Sequence, residues 1–211
     1  MSPAPSAARA LFVVLDGVDG CGKSTQARRL ALELGRMSGN EALHVREPGS
    51  TRVGEALRAI LLSRDHAHMS PRVETLLFAA ARAQTLAELV EPALRAGRHV
   101  VCERFHASTF AYQAVAGGLP EREVLDLLEH WAGQPRPDLE ILLTLAPEEA
   151  ARRRSAATDR IEDKGLDFQR RVAQGYARYK ELVPRAIVID GARSEDSVAR
   201  DVLQEVQRAL G

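Results

Sequence analysis

The residues best suited to chemistry stand close together near the start of the chain, within LFVVLDGVDGCGKSTQARRL. The segment GVDGCGKS, residues 17–24, fits the pattern G-x-x-x-x-G-K-[ST] and stands after an apolar run and before a helical pattern. Glycines let backbone amides converge on phosphate oxygens, and the positive end of the following helix faces the same anion. The pattern therefore predicts a polyphosphate site, in which Lys23 contacts the β- and γ-phosphates and Ser24 binds Mg²⁺. The predicted nucleotide contacts are Gly17, Val18, Asp19, Gly20, Cys21, Gly22, Lys23, Ser24 and Thr25.

Short apolar runs alternate with longer helical patterns along the whole chain. The apolar runs are LFVVLD, ALHVRE, RHVVCE, DLEILLTL and AIVID. Helices are predicted over residues 24–37, 52–62, 71–95 and 194–210, in two stretches between 106 and 131, and from 147 onward. Strands that are separated by helices pair in parallel, with helices on both faces of the sheet. The sequence thus predicts an α/β three-layer sandwich of the P-loop NTPase type with five parallel strands.

Composition restricts the domain count, the partners and the compartment. The 211 residues are enough for one domain, predicted over 11–211 after a disordered tail, 1–10, and containing a charged, arginine-bearing loop, 152–164. Lys plus Arg and Asp plus Glu each number 29, so the net charge predicts no nucleic-acid partner. MSPAPSAARA lacks the apolar core of a signal peptide, and no stretch is long enough to cross a bilayer. Because Cys21 and Cys102 also lack metal-ligand spacing, we expect a cytoplasmic protein without a membrane partner.

A phosphate loop alone does not distinguish a GTPase, a motor ATPase and a small-molecule kinase. Three later segments, REPGST, LLFAAARAQ and CERFHASTFAYQ, add further polar and aromatic residues. In the second, Phe78 and Arg82 are four residues apart and share one helix face. A ring beside a guanidinium suits a planar base, which needs a stacking surface and a donor at its edge. Taken singly, Phe78 is also typical of a core residue and Arg82 of a surface charge.

Taken in order, these segments resemble bacterial thymidylate kinase from Leu11 to about Val183. The matching strings are an acidic third residue in the phosphate loop, R-E-P-G, F-x-A-A-R-x-Q, S-T-x-A-Y-Q after an acid-Arg pair, R-P-D-L and D-R-I-E. The resemblance implies transfer of the γ-phosphoryl group of ATP to dTMP, a requirement for Mg²⁺, and a homodimer. It also implies that residues 152–164 form a lid over the site.

The resemblance implies a role for each residue on the substrate side. Phe78 stacks on thymine and Arg82 contacts its edge, while Thr109 and Gln113 frame the base. Tyr112 lies under the deoxyribose, where a 2′-hydroxyl would clash. Arg104 and Arg46 hold the 5′-phosphate. The predicted substrate contacts are Arg46, Phe78, Arg82, Arg104, Ser108, Thr109, Tyr112 and Gln113.

Phosphoryl transfer between two phosphates brings anions together, so cations must close over the site. The phosphate loop contains no arginine, and the lid is predicted to supply that charge. Asp19 is expected near the sugar 3′-hydroxyl and the acceptor phosphate. The predicted catalytic residues are Lys23, Asp19, Arg104, Arg153 and Arg160, and the predicted Mg²⁺ ligands are Ser24 and Glu103.

Several positions depart from the pattern of the family. Asp16 stands in place of glutamate, Glu103 and Thr144 in place of aspartate, and Ser50 in place of glycine. Residues 155–157 are Ser-Ala-Ala, where further arginines are expected. The departures leave two alternatives open. One is a kinase for another nucleoside monophosphate or for a deoxynucleoside, and the other is a nucleotide-binding protein of low turnover.

Overall fold

The computed structural model describes residues 9–153 and 159–211, and its centre is a five-stranded sheet. All four strand pairs are parallel, in the order β2-β3-β1-β4-β5, which confirms the predicted architecture. The strands are β1 (Phe12–Gly17), β2 (Leu43–Arg46), β3 (Val100–Glu103), β4 (Leu139–Thr144) and β5 (Ile187–Asp190).

Helices connect the strands and cover both faces of the sheet. They are α1 (Lys23–Ser38), α2 (Arg52–Leu62), α3 (Pro71–Thr85), α4 (Glu91–Arg95), α5 (His106–Thr109), α6 (Glu121–Ala132), α7 (Pro147–Arg153), α8 (Gly165–Leu182) and α9 (Glu195–Leu210). Among the described residues, no helix combines the length and the hydropathy that crossing a membrane requires.

β1 is the central strand of the sheet, and both of its faces are buried. Alternate side chains of a strand point to opposite faces, so each face of β1 packs into a different layer of helices. Phe12 and Val14 belong to a cluster with Leu86 and Val90, next to α4. The layer on the other face contains Val13 and Leu15 of β1 and Leu30 and Leu34 of α1. The continuous apolar run that predicts this strand therefore serves two cores at once.

Two of the predicted helices contain a π-helical segment. Leu86–Val90 joins α3 to α4, and Phe110–Val115 follows α5 directly. Such segments widen a helix by one residue per turn and occur often at functional sites. Next to the second segment, a β-carbon on Gly175 of α8 would lie 2.6 Å from the Cα atom of Ala111. Glycine therefore allows α8 to pack closely against the segment that carries Tyr112 and Gln113.

Contacts with Asp138 hold the residues at the start of β1 in place. Residues 1–8 of the predicted tail lie outside the described residues. The guanidinium of Arg9 forms an ion pair with Asp138 at 2.6 Å, and the backbone N–H of Phe12 donates to the same carboxylate at 2.8 Å. These contacts place the first residue of β1 beside the loop that precedes β4.

Candidate active site

A cavity of about 470 Å³ opens where β1 and β3 end and α1 begins. Open parallel sheets bind ligands beyond the carboxyl ends of their strands, at the point where the chain changes its direction across the sheet. Most of the predicted site residues line this cavity: Asp19, Gly20, Gly22, Lys23, Ser24, Thr25, Arg46, Phe78, Arg82, Glu103, Arg104, Ser108, Thr109, Tyr112 and Gln113. The predicted residues outside its lining are Gly17, Val18, Cys21, Arg153 and Arg160.

Two glycines of the phosphate loop have geometries that require glycine. A β-carbon on Gly17 would lie 2.3 Å from the carbonyl oxygen of Leu143 on β4, and Gly22, at the N-cap of α1, has a φ of 92°. The loop therefore curls tightly between β4 and the first turn of α1, so the amino end of the helix faces the cavity. Cys21 is buried, and its side chain fills the space beside Gly17.

Asp19 contacts three polar side chains at the centre of the cavity. Lys23 Nζ donates to Asp19 Oδ1 at 3.3 Å and to the carbonyl oxygen of Val18 at 3.1 Å. Arg104 forms an ion pair with Asp19, and the Tyr112 hydroxyl donates to Asp19 Oδ2 at 2.9 Å. Burial alone would raise the pKa of Asp19, but the charges of Arg104 and Lys23 and the hydrogen bond from Tyr112 hold it well below its usual range. Asp19 is therefore an ionised link between the phosphate loop and the residues that follow β3.

Arg104 is fixed by its backbone as well as by its side chain. Its φ of 69° lies in the left-handed region, which a residue with a β-carbon rarely adopts. The backbone N–H donates to the carbonyl oxygen of Leu15 on β1 at 2.9 Å, and Nη1 donates to Ser108 Oγ at 2.8 Å. Strain of this kind concentrates at functional sites, where the surrounding structure maintains it.

The fully buried carboxylate of Asp16 holds the segment after β3 in place. It accepts hydrogen bonds from the backbone N–H groups of Phe105 at 2.8 Å and Ser108 at 3.1 Å. It also accepts from Ser108 Oγ at 2.6 Å and from the Tyr176 hydroxyl at 2.7 Å. Ser108, predicted to contact the substrate, thus lines the cavity while its hydroxyl connects Asp16 to Arg104.

Arg82 lies at the far wall of the cavity and is only 2% exposed. Its Nε donates to Glu47 Oε2 at 2.5 Å, and its Nη2 donates to the Phe105 carbonyl oxygen at 2.9 Å and to Thr109 Oγ1 at 3.2 Å. Nη1 is buried and has no hydrogen-bond partner among the described residues. Burial raises the pKa of Glu47 to about 7, against the opposing effect of the nearby Arg82 charge. Phe78, one helical turn before Arg82, is half-buried and lines the same wall.

Two side chains with oxygen atoms that could bind a metal ion, Ser24 and Glu103, lie in contact at the start of α1. The Ser24 hydroxyl donates to Glu103 Oε2, and His44 Nε2 lies 2.8 Å from Glu103 Oε1. Burial alone would raise the pKa of Glu103, but the hydrogen bonds from His44 and Ser24 outweigh it and lower the pKa. In the described ranges, no cluster of three or more Asp, Glu, His or Cys side chains could hold a metal alone. Mg²⁺ bound to a nucleotide needs only one or two protein oxygens besides phosphates, so Ser24 and Glu103 fit that ion.

The sequence matches one protein family over most of its length. A family model described as Thymidylate kinase matches residues 15–202. The chain belongs to the thymidylate kinase family. Its relatives include the thymidylate kinases of Symbiobacterium thermophilum, 41% identical over 202 residues, and Ruegeria pomeroyi, 40% identical over 200 residues. These alignments cover 95% and 93% of this chain, respectively, and 94% of each relative.

A solved structure supports the same family assignment. The crystal structure of thymidylate kinase from Ehrlichia chaffeensis matches with a TM-score of 0.74 at 25% identity, over 93% of this chain and 98% of that one. The resemblance inferred from the motifs is confirmed, and the family match extends beyond Val183 into α9. Members of the thymidylate kinase family transfer a phosphoryl group from ATP to dTMP and produce dTDP.

Two departures from the thymidylate kinase pattern have local structural explanations. Ser50 has a φ of 68°, the conformation that glycine adopts readily. Its hydroxyl accepts a hydrogen bond from the N–H of Arg46 at 2.9 Å, and its own N–H donates to Glu55 at 2.9 Å, which stabilises the turn. Thr144 lies at the end of β4, where its hydroxyl donates to the carbonyl oxygen of Ile189 at 3.4 Å. Its side chain is therefore bound to the neighbouring strand rather than to the cavity.

The predicted catalytic arginines of the lid are engaged elsewhere. Arg153 donates to Glu149 at 3.0 Å and to the carbonyl oxygen of Gly191 at 2.9 Å. Arg160 is buried, pairs with Glu74 at 2.6 Å and donates to the carbonyl oxygen of Leu61 at 2.8 Å. Neither guanidinium lines the cavity, so their catalytic roles stay predictions that require these contacts to break. Residues 154–158, including the Ser-Ala-Ala segment, lie outside the described residues.

Several residues line the cavity without a role predicted from the sequence. Glu47 is the second residue of the R-E-P-G string and directly follows β2, a position that indicates a site residue in an open parallel sheet. Arg58 lies on α2, half-buried, and donates to the carbonyl oxygen of Pro48 at 3.0 Å. The position of Arg58 in the helical pattern of α2 does not indicate that it lines the site. The other lining residues without an individual predicted role are Pro48, Leu62 and three residues of the predicted lid, Asp159, Ile161 and Glu162.

Proposed function

We propose that the cavity binds ATP at the phosphate loop and dTMP against Phe78 and Arg82, so that Arg104 lies between the two nucleotides. The observation that supports this arrangement best is one continuous cavity lined by both groups of residues. Within it, Arg104 contacts Asp19 of the phosphate loop. The product of the proposed transfer from ATP is dTDP.

Lys23 changes partners when the polyphosphate binds. In the described structure its ammonium is buried and contacts Asp19 and the carbonyl oxygen of Val18, both beyond 3.0 Å. Phosphate oxygens carry more charge than a carbonyl oxygen and form stronger hydrogen bonds with an ammonium. We therefore expect Lys23 to turn toward the β- and γ-phosphates, together with the backbone N–H groups at the start of α1.

Three guanidiniums line the part of the cavity proposed for the acceptor phosphate. Arg46, Arg58 and Arg104 lie there, and burial together with the charge of Arg46 lowers the pKa of Arg58. Like charges that lie close together repel each other, and an anion bound among them relieves that repulsion. Arg104 is the one whose backbone is held in an unusual conformation, and we assign it to the 5′-phosphate with Arg46 beside it.

Ser24 and Glu103 would hold Mg²⁺ next to the phosphates. The ion would neutralise charge on the β- and γ-phosphates when it is bound. Glu103 is one carbon longer than the aspartate expected at this position, and its contact with His44 restricts where its carboxylate lies. The dTMP phosphate is itself the nucleophile and is largely ionised near neutral pH, so no strong general base is required.

Tyr112 is proposed to discriminate against ribonucleotides. Its hydroxyl is bound to Asp19 at 2.9 Å, so its ring is held at the cavity wall, without a free partner for a 2′-hydroxyl. We predict that Tyr112→Ala lowers the kcat/KM ratio of dTMP over ribothymidine monophosphate by about 10- to 100-fold, because an unpaired hydroxyl costs about 1–3 kcal/mol. Steady-state kinetics with both substrates measure this ratio. Tyr112→Phe keeps the ring and serves as the matched control; an unchanged ratio in Tyr112→Ala would assign sugar selection to another group.

The chain is proposed to form a homodimer through α2 and α3. Val53 and Ile60 on α2 and Val73 and Leu76 on α3 are each more than 40% exposed, and the two helices pack against each other. Their spacings of seven and three residues place each pair on one helix face. Adjacent exposed apolar side chains favour burial against a second copy.

Sedimentation velocity tests the dimer. We predict a dimer for the unmodified chain and a monomer for Leu76→Glu, because a carboxylate would be buried without a partner. Leu32→Glu is the matched control, since Leu32 is 67% exposed on α1, away from the proposed face. A monomeric unmodified chain, or equal effects of the two substitutions, would contradict the assignment of this face.

We also propose a cytoplasmic location, because ATP and the deoxynucleotides of the proposed reaction are intracellular. The free thiols of Cys21 and Cys102 are consistent with a reducing compartment. Cell fractionation with detection of the chain tests this location.

An omission experiment tests the proposed reaction. ADP release is measured with ATP, dTMP and Mg²⁺ together, and then with each component left out. We expect ADP only in the complete mixture, with dTDP as the second product. ADP formed at the same rate without dTMP would indicate an ATPase, and absence of ADP in every mixture would favour the low-turnover alternative.

A further inference from the structure

A buried carboxylate next to the base pocket has three partners from different parts of the chain. Glu74, in the first turn of α3, is 3% exposed. Arg160 Nη1 lies 2.6 Å from Glu74 Oε2, Lys164 Nζ lies 3.3 Å from Oε1, and the Gln113 side-chain Nε2 donates to Oε1 at 2.9 Å. Burial alone would raise the pKa of Glu74, but the three partners outweigh it and lower the pKa. Glu74 is therefore an ionised acceptor within a closed cluster.

This cluster determines which end of the Gln113 amide faces the cavity. An ionised carboxylate has no proton to donate, so only the NH₂ end of the amide can pair with Glu74. Gln113 is 2% exposed and also lines the cavity. With its NH₂ group committed to Glu74, the carbonyl oxygen is the end that remains for a ligand.

The same wall carries a donor as well as this acceptor. Arg82 lines the cavity, and its Nη1 is buried without a hydrogen-bond partner in the described part of the chain. A donor and an acceptor together match the edge of thymine, which presents the O4 acceptor and the N3–H donor. The corresponding edge of cytosine presents an amino donor and an unprotonated N3 acceptor, so both contacts would be mismatched.

We propose that Glu74 is a positioning residue for base selection, because it holds the carbonyl oxygen of Gln113 toward N3 of the bound pyrimidine. The inference rests on the proposed function, which places thymine beside Phe78 and Arg82. Arg160, from the end of the lid, supports this selection indirectly because it pairs with Glu74 at 2.6 Å, while Lys164 adds a more distant cation at 3.3 Å that the orientation of Gln113 does not require. The buried position of Arg160 then has a function that differs from the predicted contact with the transferred phosphoryl group.

Glu74→Gln tests the proposal, because it keeps the size of the side chain and changes its hydrogen bonding. The single acceptor oxygen of the introduced amide is taken by Arg160 and Lys164, so the NH₂ group of that amide faces Gln113. Gln113 must then turn its carbonyl toward position 74 and present its NH₂ group to the base. The test compares kcat/KM for dTMP and 5-methyl-dCMP, which differ only at position 4 and N3 of the base. We expect the ratio of dTMP over 5-methyl-dCMP to fall by about tenfold or more in this variant.

Two further variants separate this role from a general effect on folding. Lys164→Met removes one cation from Glu74 but leaves the Gln113 contact, and we expect it to change the ratio by less than about twofold. Gln113→Leu removes the amide while Glu74 keeps both cations, and we expect the ratio to fall as in Glu74→Gln. Thermal unfolding of each variant is measured alongside, so that kinetics are compared only for folded protein.

The outcomes distinguish this proposal from the proposed function. An unmodified chain that does not prefer dTMP over 5-methyl-dCMP overturns the placement of thymine itself. An unmodified chain with that preference, together with an unchanged ratio in Glu74→Gln, overturns the role of Glu74. If Glu74→Gln does not fold, Gln113→Leu decides, because an unchanged ratio there means that Gln113 does not contact N3.

Discussion

Lys23→Ala is expected to lower kcat by about 10²- to 10³-fold, the range observed when one donor to a developing anionic charge is removed. In the proposed reaction Lys23 neutralises the γ-phosphate as it moves between two anions, and Mg²⁺ alone does not replace that contact. The fold should persist, because Asp19 keeps its contacts with Arg104 and Tyr112 when the ammonium is lost. Coupled ADP release measures the effect.

The matched control for this prediction is Lys180→Ala. Lys180 lies on α8 and donates to the carbonyl oxygens of Pro184 and Ala186, outside the cavity lining. We expect full activity in that variant. If Lys23→Ala keeps more than about a tenth of the unmodified kcat, Lys23 does not make the assigned contact.

Arg104→Ala is expected to raise KM for dTMP by about 10- to 100-fold and KM for ATP much less. A hydrogen bond to a charged group contributes about 1.5–3 kcal/mol, and the guanidinium is assigned to the acceptor's 5′-phosphate. Alanine and arginine both carry a β-carbon, so the strain at a φ of 69° is common to both proteins. The substitution therefore reports on the side chain rather than on the backbone.

Initial rates with each nucleotide varied in turn measure the two KM values. Arg36→Ala is the control, because Arg36 is exposed near the end of α1 and pairs only with Glu33 at 3.2 Å among the described contacts. Equal increases in both KM values would mean that Arg104 supports the site as a whole and does not bind the acceptor.

The strands and the phosphate loop were predictable from sequence because local patterns determine them. The apolar run of β1 and the glycines at 17 and 22 reflect contacts with close neighbours in the chain or in the adjacent strand. The (i, i+4) spacing likewise placed Phe78 and Arg82 on one face of α3, and both line the cavity. Such features require only the period of a helix or a strand.

The contacts between distant segments were not predictable in this way. The Glu47–Arg82 pair joins residues that are 35 positions apart, and the Arg160–Glu74 pair joins the lid to α3. The run of charges over 152–164 predicts a charged loop whose arginines are available to the site, whereas Arg160 is buried because Glu74 compensates its charge. The π-helical form of Phe110–Val115 was also not predicted from the sequence. It is packed against α8, and the residues within the segment do not indicate that contact.

A panel of phosphoryl acceptors tests whether this chain phosphorylates dTMP in preference to other nucleotides. With ATP and Mg²⁺ held constant, kcat/KM is measured by ADP release for dTMP, dUMP, dCMP, dAMP and dGMP and for thymidine. We expect dTMP to have the highest value, dCMP to be rejected at the base edge, and the purine nucleotides to be excluded by the size of the pocket. A higher kcat/KM for any other nucleotide, or for thymidine, would mean that dTMP is not the preferred acceptor of this chain.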